Sequence, residues 1–154
     1  MNMANLLSPD AVRVFATFSS KKRLFQELGE LGASVHGLDA AEAVAALQER
    51  EALGTTGVGR GVALPHARLG NLNHVVGVFL RLERPFAYGS VDRAPVDLVF
   101  ALFAPRSAGV EHLKALAYVS RTLRDGGVCA KLRANSDPAA LHAILASAAD
   151  TKAA

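Results

Sequence analysis

Two stretches decide the fold: Val75-Val-Gly-Val-Phe-Leu-Arg-Leu82 and Val96-Asp-Leu-Val-Phe-Ala-Leu-Phe103. Each is nearly continuous in Val, Leu and Phe and is bounded by turn residues. A strand with one wet face alternates polar and apolar residues, whereas these runs predict strands buried on both faces. Such strands need helices above and below, and the chain supplies them on either side. Upstream, Val12 to Phe18 reads as a short first strand ending in Ser19-Ser20. Ser20 can cap a helix whose apolar face is Leu24, Phe25, Leu28 and Leu31, with Gly32 as its stop. Asp39-Ala-Ala-Glu42 has the cap-x-x-Glu pattern that opens a helix, here carrying Val44 and Leu47 inward to about Glu51. A Gly/Thr-rich turn follows from Gly54 to Gly61, then a short apolar run, Val62-Ala63-Leu64, stopped by Pro65 and His66.

Downstream, Leu113, Leu116, Ala117, Ser120 and Leu123 form one helical stripe over Val110 to Leu123. Gly126-Gly127 marks its end, and a short helix follows through Leu132. Asp137-Pro138 is an N-cap with proline at the first helical position, opening a last helix that packs Leu141, Ile144 and Leu145. The expectation is an α/β fold: a three-layer α/β/α sandwich around a central mixed β-sheet, one domain over residues 1–150, with 151–154 as a frayed tail.

Composition narrows the function. The chain has 154 residues, 51% hydrophobic and 20% charged, which excludes wholesale disorder. A net charge of +3, not gathered into a stripe, does not argue for nucleic acid. Lys21-Lys22-Arg23 is the densest basic run and reads as a solvated face. One cysteine, Cys129, excludes an internal disulfide or a Cys-rich metal site and reads as a small apolar residue. No stretch reaches the roughly 20 apolar residues of a membrane span, and Met1 to Pro9 lacks the pattern of a signal peptide. The expected setting is cytoplasmic.

Candidate chemistry concentrates in Arg50-Glu-Ala-Leu-Gly-Thr-Thr-Gly-Val-Gly-Arg-Gly-Val-Ala-Leu-Pro-His66. A Walker A loop fails here, because Arg60-Gly61 stands where Lys and Ser/Thr are needed. A dinucleotide loop fails because Val62 stands where the third glycine belongs. What remains is a run of glycines at 54, 57, 59 and 61 that can present N–H groups to an anion, with the Thr55 and Thr56 hydroxyls beside them. Arg50 lies at a helix end just before this loop, and His66 lies just after it. Together they make a phosphate site containing a nucleophile. By spacing alone, the glycines also fit a plain tight turn and His66 a surface residue.

The segments Arg50-Glu51, Leu53 to Gly59 and Gly61 to His66 resemble the active-site signature of phosphotransferase-system IIA domains of the fructose/mannitol class, and within it the nitrogen-regulatory type. The resemblance extends to Asn5-Leu6-Leu7-Ser8-Pro9, Ser20-Lys21-Lys22-Arg23 and Glu111-His112-Leu113. It implies that His66 accepts a phosphoryl group on Nε2 from a phosphohistidine carrier protein of the HPr/NPr-like kind. It implies that His112 donates a hydrogen bond to the phosphoryl oxygens and that Arg50 is their charge partner. Thr56 matches the family's hydroxyl residue. Thr55, Thr56 and Gly57 are the expected phosphate-binding residues. Arg60 and Ala67 depart from the usual pattern, and neither removes a catalytic group.

Histidine suits this chemistry. Its ordinary pKa near 6.5 leaves it largely neutral and nucleophilic at neutral pH, and positioning and donors supply most of the catalysis. The scheme requires no cofactor and no metal. A zinc site of His66, His74 and His112 lacks supporting spacing. His36 reads as a cation at a helix C-terminus, and His142 lies in the last helix. Two recipients fit the resemblance: regulatory target proteins, or a separate IIB domain in sugar uptake. The N-terminal strand with Ser-Lys-Lys-Arg favours the first. The length leaves no room for a fused IIB or IIC unit, so the expected acceptor is another protein.

Overall fold

A computed structural model describes residues 1–153 of the chain, with side chains through residue 150. In order, the elements are α1 (Met3–Leu6), a 3-10 turn (Pro9–Ala11), β1 (Val12–Phe15), α2 (Lys21–His36), α3 (Ala40–Ala52), β2 (Gly57–Gly59), β3 (Val62–Ala63), β4 (His66–Leu69), β5 (Val76–Phe86), β6 (Val96–Pro105), α4 (Val110–Leu123), α5 (Gly126–Arg133) and α6 (Pro138–Ala153). The tail set apart at 151–154 lies outside the described side chains.

The two apolar stretches form the antiparallel centre, with Phe79 opposite Phe100 and Leu80 opposite Val99. From Leu98 to Ala104, β6 is fully buried on both faces. The sheet runs β1-β5-β6-β3-β2, with β4 also on β6. β1 is parallel to β5, and β3 and β4 are parallel to β6, so the sheet is mixed. α2 and α3 pack together and reach β5 and β4, while α4, α5 and α6 pack together and reach β6, β5 and β1. The sheet lies between these two groups, as the α/β sandwich requires.

Pro65 and His66 do not end the short strand. Val62 faces Leu98 and His66 faces Leu102, so one register carries straight through Leu64 and Pro65. Pro65 has no N–H to give β6, and the ladder skips a bond there. Its carbonyl still accepts from the Leu102 N–H at 3.0 Å. His66 is thereby locked into a strand that runs along the most buried strand of the sheet.

Other boundaries moved for local reasons. β1 stops at Phe15, where the chain turns and the Ala16 carbonyl accepts from Arg84 N–H. α2 continues past Gly32 to His36 and ends at Gly37, whose φ of 72° is the left-handed cap that favours glycine. Gly32 is a packing glycine: a Cβ there would sit 2.8 Å from Leu38 Cδ1. Gly126 and Gly127 open α5 rather than merely closing α4, because the Asp125 carboxylate accepts from the N–H groups of Gly127 and Val128. α4 itself begins at Gly109 without a side-chain cap bond.

Gly29 sets how closely α2 and α3 approach. A Cβ there would lie 2.6 Å from Val44 Cγ2 and 2.9 Å from the Ala40 carbonyl oxygen. Gly29→Ala gains about 0.5–1 kcal/mol of helix propensity but overpacks against backbone, which typically costs about 1–3 kcal/mol. The expected outcome is a lower urea midpoint with native far-UV dichroism. A raised midpoint would show that the two helices separate freely.

Candidate active site

His66 opens β4 with its ring held at both nitrogens. Nδ1 lies 3.0 Å from the Leu64 carbonyl oxygen. A carbonyl only accepts, so Nδ1 carries the hydrogen and Nε2 keeps its lone pair. Arg50, in the last turn of α3, donates its Nε–H to that Nε2 at 3.2 Å, and its Nη1 donates to the Gly54 carbonyl at 2.9 Å. His112 comes from the first turn of α4 and is buried. The two imidazole centroids are 5.3 Å apart with the rings near perpendicular. His112 Nδ1 accepts from Arg68 Nε at 3.2 Å, and its Nε2 is buried with no hydrogen-bond partner among the described residues.

Burial holds both histidines below the ordinary value of 6.5. For His66 burial is the largest cause; Arg50 adds to it and the Leu64 carbonyl opposes it. For His112 burial, then the neighbouring His66 and Arg68, lower the pKa to about 4. Both rings are therefore neutral at pH 7.

The loop between Arg50 and His66 rests on Glu51. Its Oε2 accepts from Lys21 Nζ at 2.8 Å and from the Thr56 N–H at 2.9 Å, and its Oε1 accepts from the Thr56 hydroxyl. The Tyr88 hydroxyl donates to Thr56 Oγ1 at 2.6 Å. Burial alone would raise the Glu51 carboxyl, but the bonds from Lys21 and Thr56 outweigh it and hold it below the usual carboxylate range. Burial pushes the Tyr88 phenol up. Gly57 N–H donates to Thr55 Oγ1 at 3.1 Å. A Cβ on Gly57 would fall 2.8 Å from Ser90 Cα, so glycine is required for this close approach.

Thr55 and Thr56 thus line the hollow beside His66, but the N–H groups of Thr56 and Gly57 are engaged within the loop. The donors that reach the histidine pair are Arg50 and Arg68. Arg68, Glu51 and Tyr88 were not singled out by sequence. Arg68 had a usable signal, since residues two apart on a strand share a face and it follows His66 by two.

Arg60 adopts a φ of 56°; its N–H donates to Asp92 and its Nη2 to the Arg124 carbonyl. Ala67 is buried. His36 and His142 place Nε2 3.0 Å and 2.9 Å from the carbonyls of Gly77 and Leu7, away from the site. His74 lines a separate hollow with Asn73 and Glu111. Cys129 is buried in α5 and its thiol donates to the Leu123 carbonyl. Among the described residues, no three His, Cys, Asp or Glu side chains are placed to share a metal ion. Nor is any described helix long and apolar enough to cross a membrane.

A neutral histidine with an unprotonated Nε2, flanked by guanidinium groups, suits a phosphoryl-transfer component. The family model described as "Phosphoenolpyruvate-dependent sugar phosphotransferase system, EIIA 2" matches residues 5–148, and the chain belongs to that family. Within it, the similarity runs to nitrogen regulatory proteins. The chain is 44% identical over 146 residues to the one from Bradyrhizobium diazoefficiens, covering 95% of each chain. It is 36% identical over 149 residues to that of Klebsiella oxytoca, covering 96% of this chain and 92% of the other. The crystal structure of the nitrogen regulatory protein IIA-Ntr from Neisseria meningitidis superposes with a TM-score of 0.86 at 33% identity, over 93% of this chain and 98% of that one.

The depressed histidines predict a pH window. The unfolded His112 takes up a proton near pH 6.5 and the folded one only at about 4. Between those values the unfolded state binds more protons, so stability is full above pH 6.5 and falls as pH drops toward 4. Urea titrations across this range should show that slope, and His112→Phe should flatten it. An unchanged slope in the variant would remove His112 as its source.

Proposed function

We propose that this protein is a phosphohistidine carrier of the nitrogen-type phosphotransferase system, accepting a phosphoryl group on His66 Nε2 from an HPr/NPr-like phosphohistidine carrier. The observation that carries this reading is the His66 ring itself. Its Nδ1 is anchored to the Leu64 carbonyl, and its unprotonated Nε2 is engaged only by an Arg50 N–H that a phosphoryl oxygen can take over. In the transfer, the donor's P–N bond breaks and its electron pair returns to the donor ring. The Nε2 lone pair of His66 forms the new P–N bond, and Nδ1–H stays on Leu64. Arg50 Nε–H leaves Nε2 for a phosphoryl oxygen, and His112 donates to another. These groups stabilise charge already present on the phosphoryl oxygens, so positioning does most of the work.

The hollow beside His66 has a volume of about 630 Å³, lined in part by Arg50, Leu53, Arg68, His112 and Leu113. That far exceeds one phosphoryl group, which supports entry of a partner protein's side chain. Leu53 at 83% exposure and Leu113 at 64% frame it with apolar surface. Phosphorylation adds about −1.5 to −2 charge to this face, which regulatory targets would read. Similarity to nitrogen regulatory proteins supports a regulatory recipient over a separate sugar IIB domain, and membership of a phosphoenolpyruvate-dependent family supports a cytoplasmic setting.

Incubation with phosphoenolpyruvate, the first enzyme of the system and its carrier should give an acid-labile, base-stable phosphate that is lost in His66→Ala. Equal labelling of that variant would overturn the acceptor. His112→Ala should still be labelled but about a hundredfold more slowly, the usual consequence of deleting one preorganised donor. An unchanged rate in rapid-quench measurements would take His112 out of the reaction. Fast transfer onward to a purified sugar IIB domain would overturn the regulatory role.

A further inference from the structure

We infer that Arg68 is a positioning residue that fixes His112 in the Nε2–H tautomer and so aims a hydrogen-bond donor at the phosphoryl group on His66. The inference rests on His66 being the acceptor.

Strand alternation places His66 and Arg68 on one face of β4, while Ala67 and Leu69 turn into the core. Arg68 Nε meets His112 Nδ1 at 3.2 Å. A guanidinium has five donors, no acceptor, and keeps its charge in proteins. Nδ1 must therefore be the accepting nitrogen, without a hydrogen. A neutral imidazole has one N–H, which this bond leaves on Nε2. Protonating Nδ1 would set an N–H against an N–H, consistent with the low affinity of this ring for protons.

The result is a matched pair of rings. The Leu64 carbonyl, an obligate acceptor, holds His66 with its hydrogen on Nδ1 and its lone pair at Nε2. The Arg68 guanidinium, an obligate donor, holds His112 the opposite way. One ring presents a nucleophile, and the other presents a donor within 5.3 Å, centroid to centroid. The buried His112 Nε2 has no partner among the described residues. An unsatisfied buried N–H is costly, and a phosphoryl oxygen on His66 Nε2 would satisfy it. Arg68 need not touch the phosphoryl group, because it acts through the ring between them.

Two-bond proton–nitrogen spectra of the unphosphorylated, uniformly labelled protein report which His112 nitrogen carries hydrogen. The wild type should show Nε2–H. Arg68→Met should give a mixed or reversed tautomer, and Arg68→Lys, which retains an obligate donor, should keep the native one. Phosphoryl transfer to His66 should slow about tenfold in Arg68→Met, the scale of losing a partner that orients a functional histidine. Arg68→Met should cause no further loss in the His112→Ala background. A native tautomer that survives in Arg68→Met, or equal slowing with and without His112, would overturn the inference by showing that Arg68 acts on the phosphoryl group itself. Hydrogen on Nδ1 in the wild type would overturn it too. The spectra need no phosphoryl donor, so a failure of His66 as acceptor would appear separately, as labelling that persists in His66→Ala.

Discussion

The Glu51 carboxylate accepts hydrogen bonds from Lys21 at the start of α2 and from the backbone and hydroxyl of Thr56, and the Tyr88 hydroxyl closes over Thr56. Even a half-buried carboxylate loses hydration and is costly unless its partners are in place. Segments distant in sequence must therefore converge together. The consequence runs outward in a short relay. Thr56 N–H is fixed by Glu51, the Thr56 carbonyl accepts from Leu64 N–H at 2.9 Å, and the Leu64 carbonyl accepts from His66 Nδ1. Arg50 is the neighbouring residue in α3, so the same anchor places the guanidinium at Nε2. A half-buried charge that looks like a structural detail is what orients the His66 ring.

The cations around the histidines serve two states at once. Beside burial, Arg50 and Arg68 disfavour a proton on His66 and Arg68 disfavours one on His112, which keeps both rings neutral. In the proposed transfer the same positive charges would favour a phosphoryl dianion. Glu51 does not compete for these cations, because its oxygens already accept from Lys21 and from the N–H and hydroxyl of Thr56.

Most of the fold was legible in the sequence where one physical signal dominated. Helical periodicity located α4, but the stripe read as its inner face is fully buried only at Leu123. Leu113 and Ala117 are exposed, and the buried face is His112, Ala115, Tyr118, Val119, Thr122 and Leu123, because the first turn tips toward His66 rather than the core. The capping pattern Asp39 to Glu42 located α3, and the Asp39 carboxylate does accept from Glu42 N–H. Reading failed where tertiary pairing overrode a local breaker. Pro65 looked like the end of a strand, yet β6 holds the residues on both sides in one register. Gly32 looked like a helix stop, yet it is there to admit Leu38. At the site, the glycine-rich segment and its resemblance pointed to His66, His112, Arg50 and the loop. Arg68 and Tyr88 carry no motif, and Tyr88 lies far along the chain from Thr56, so only the folded structure shows what they touch. The Thr56 and Gly57 N–H groups read as anion donors because nothing in the sequence shows that Glu51 and Thr55 already occupy them.

The bare start of α4 gives the two histidines different mechanical characters. His66 sits in a strand laddered to the most buried strand of the sheet, with both ring nitrogens engaged. His112 rides on the first turn of a helix whose cap position is Gly109, with no side chain closing its N–H groups. Helix ends without caps open at the lowest local free energy. One ring is therefore a stiff reference, and compliance is confined to the other. Under the proposed transfer, a phosphoryl group would be accommodated at the helical turn of His112 rather than at the strand of His66.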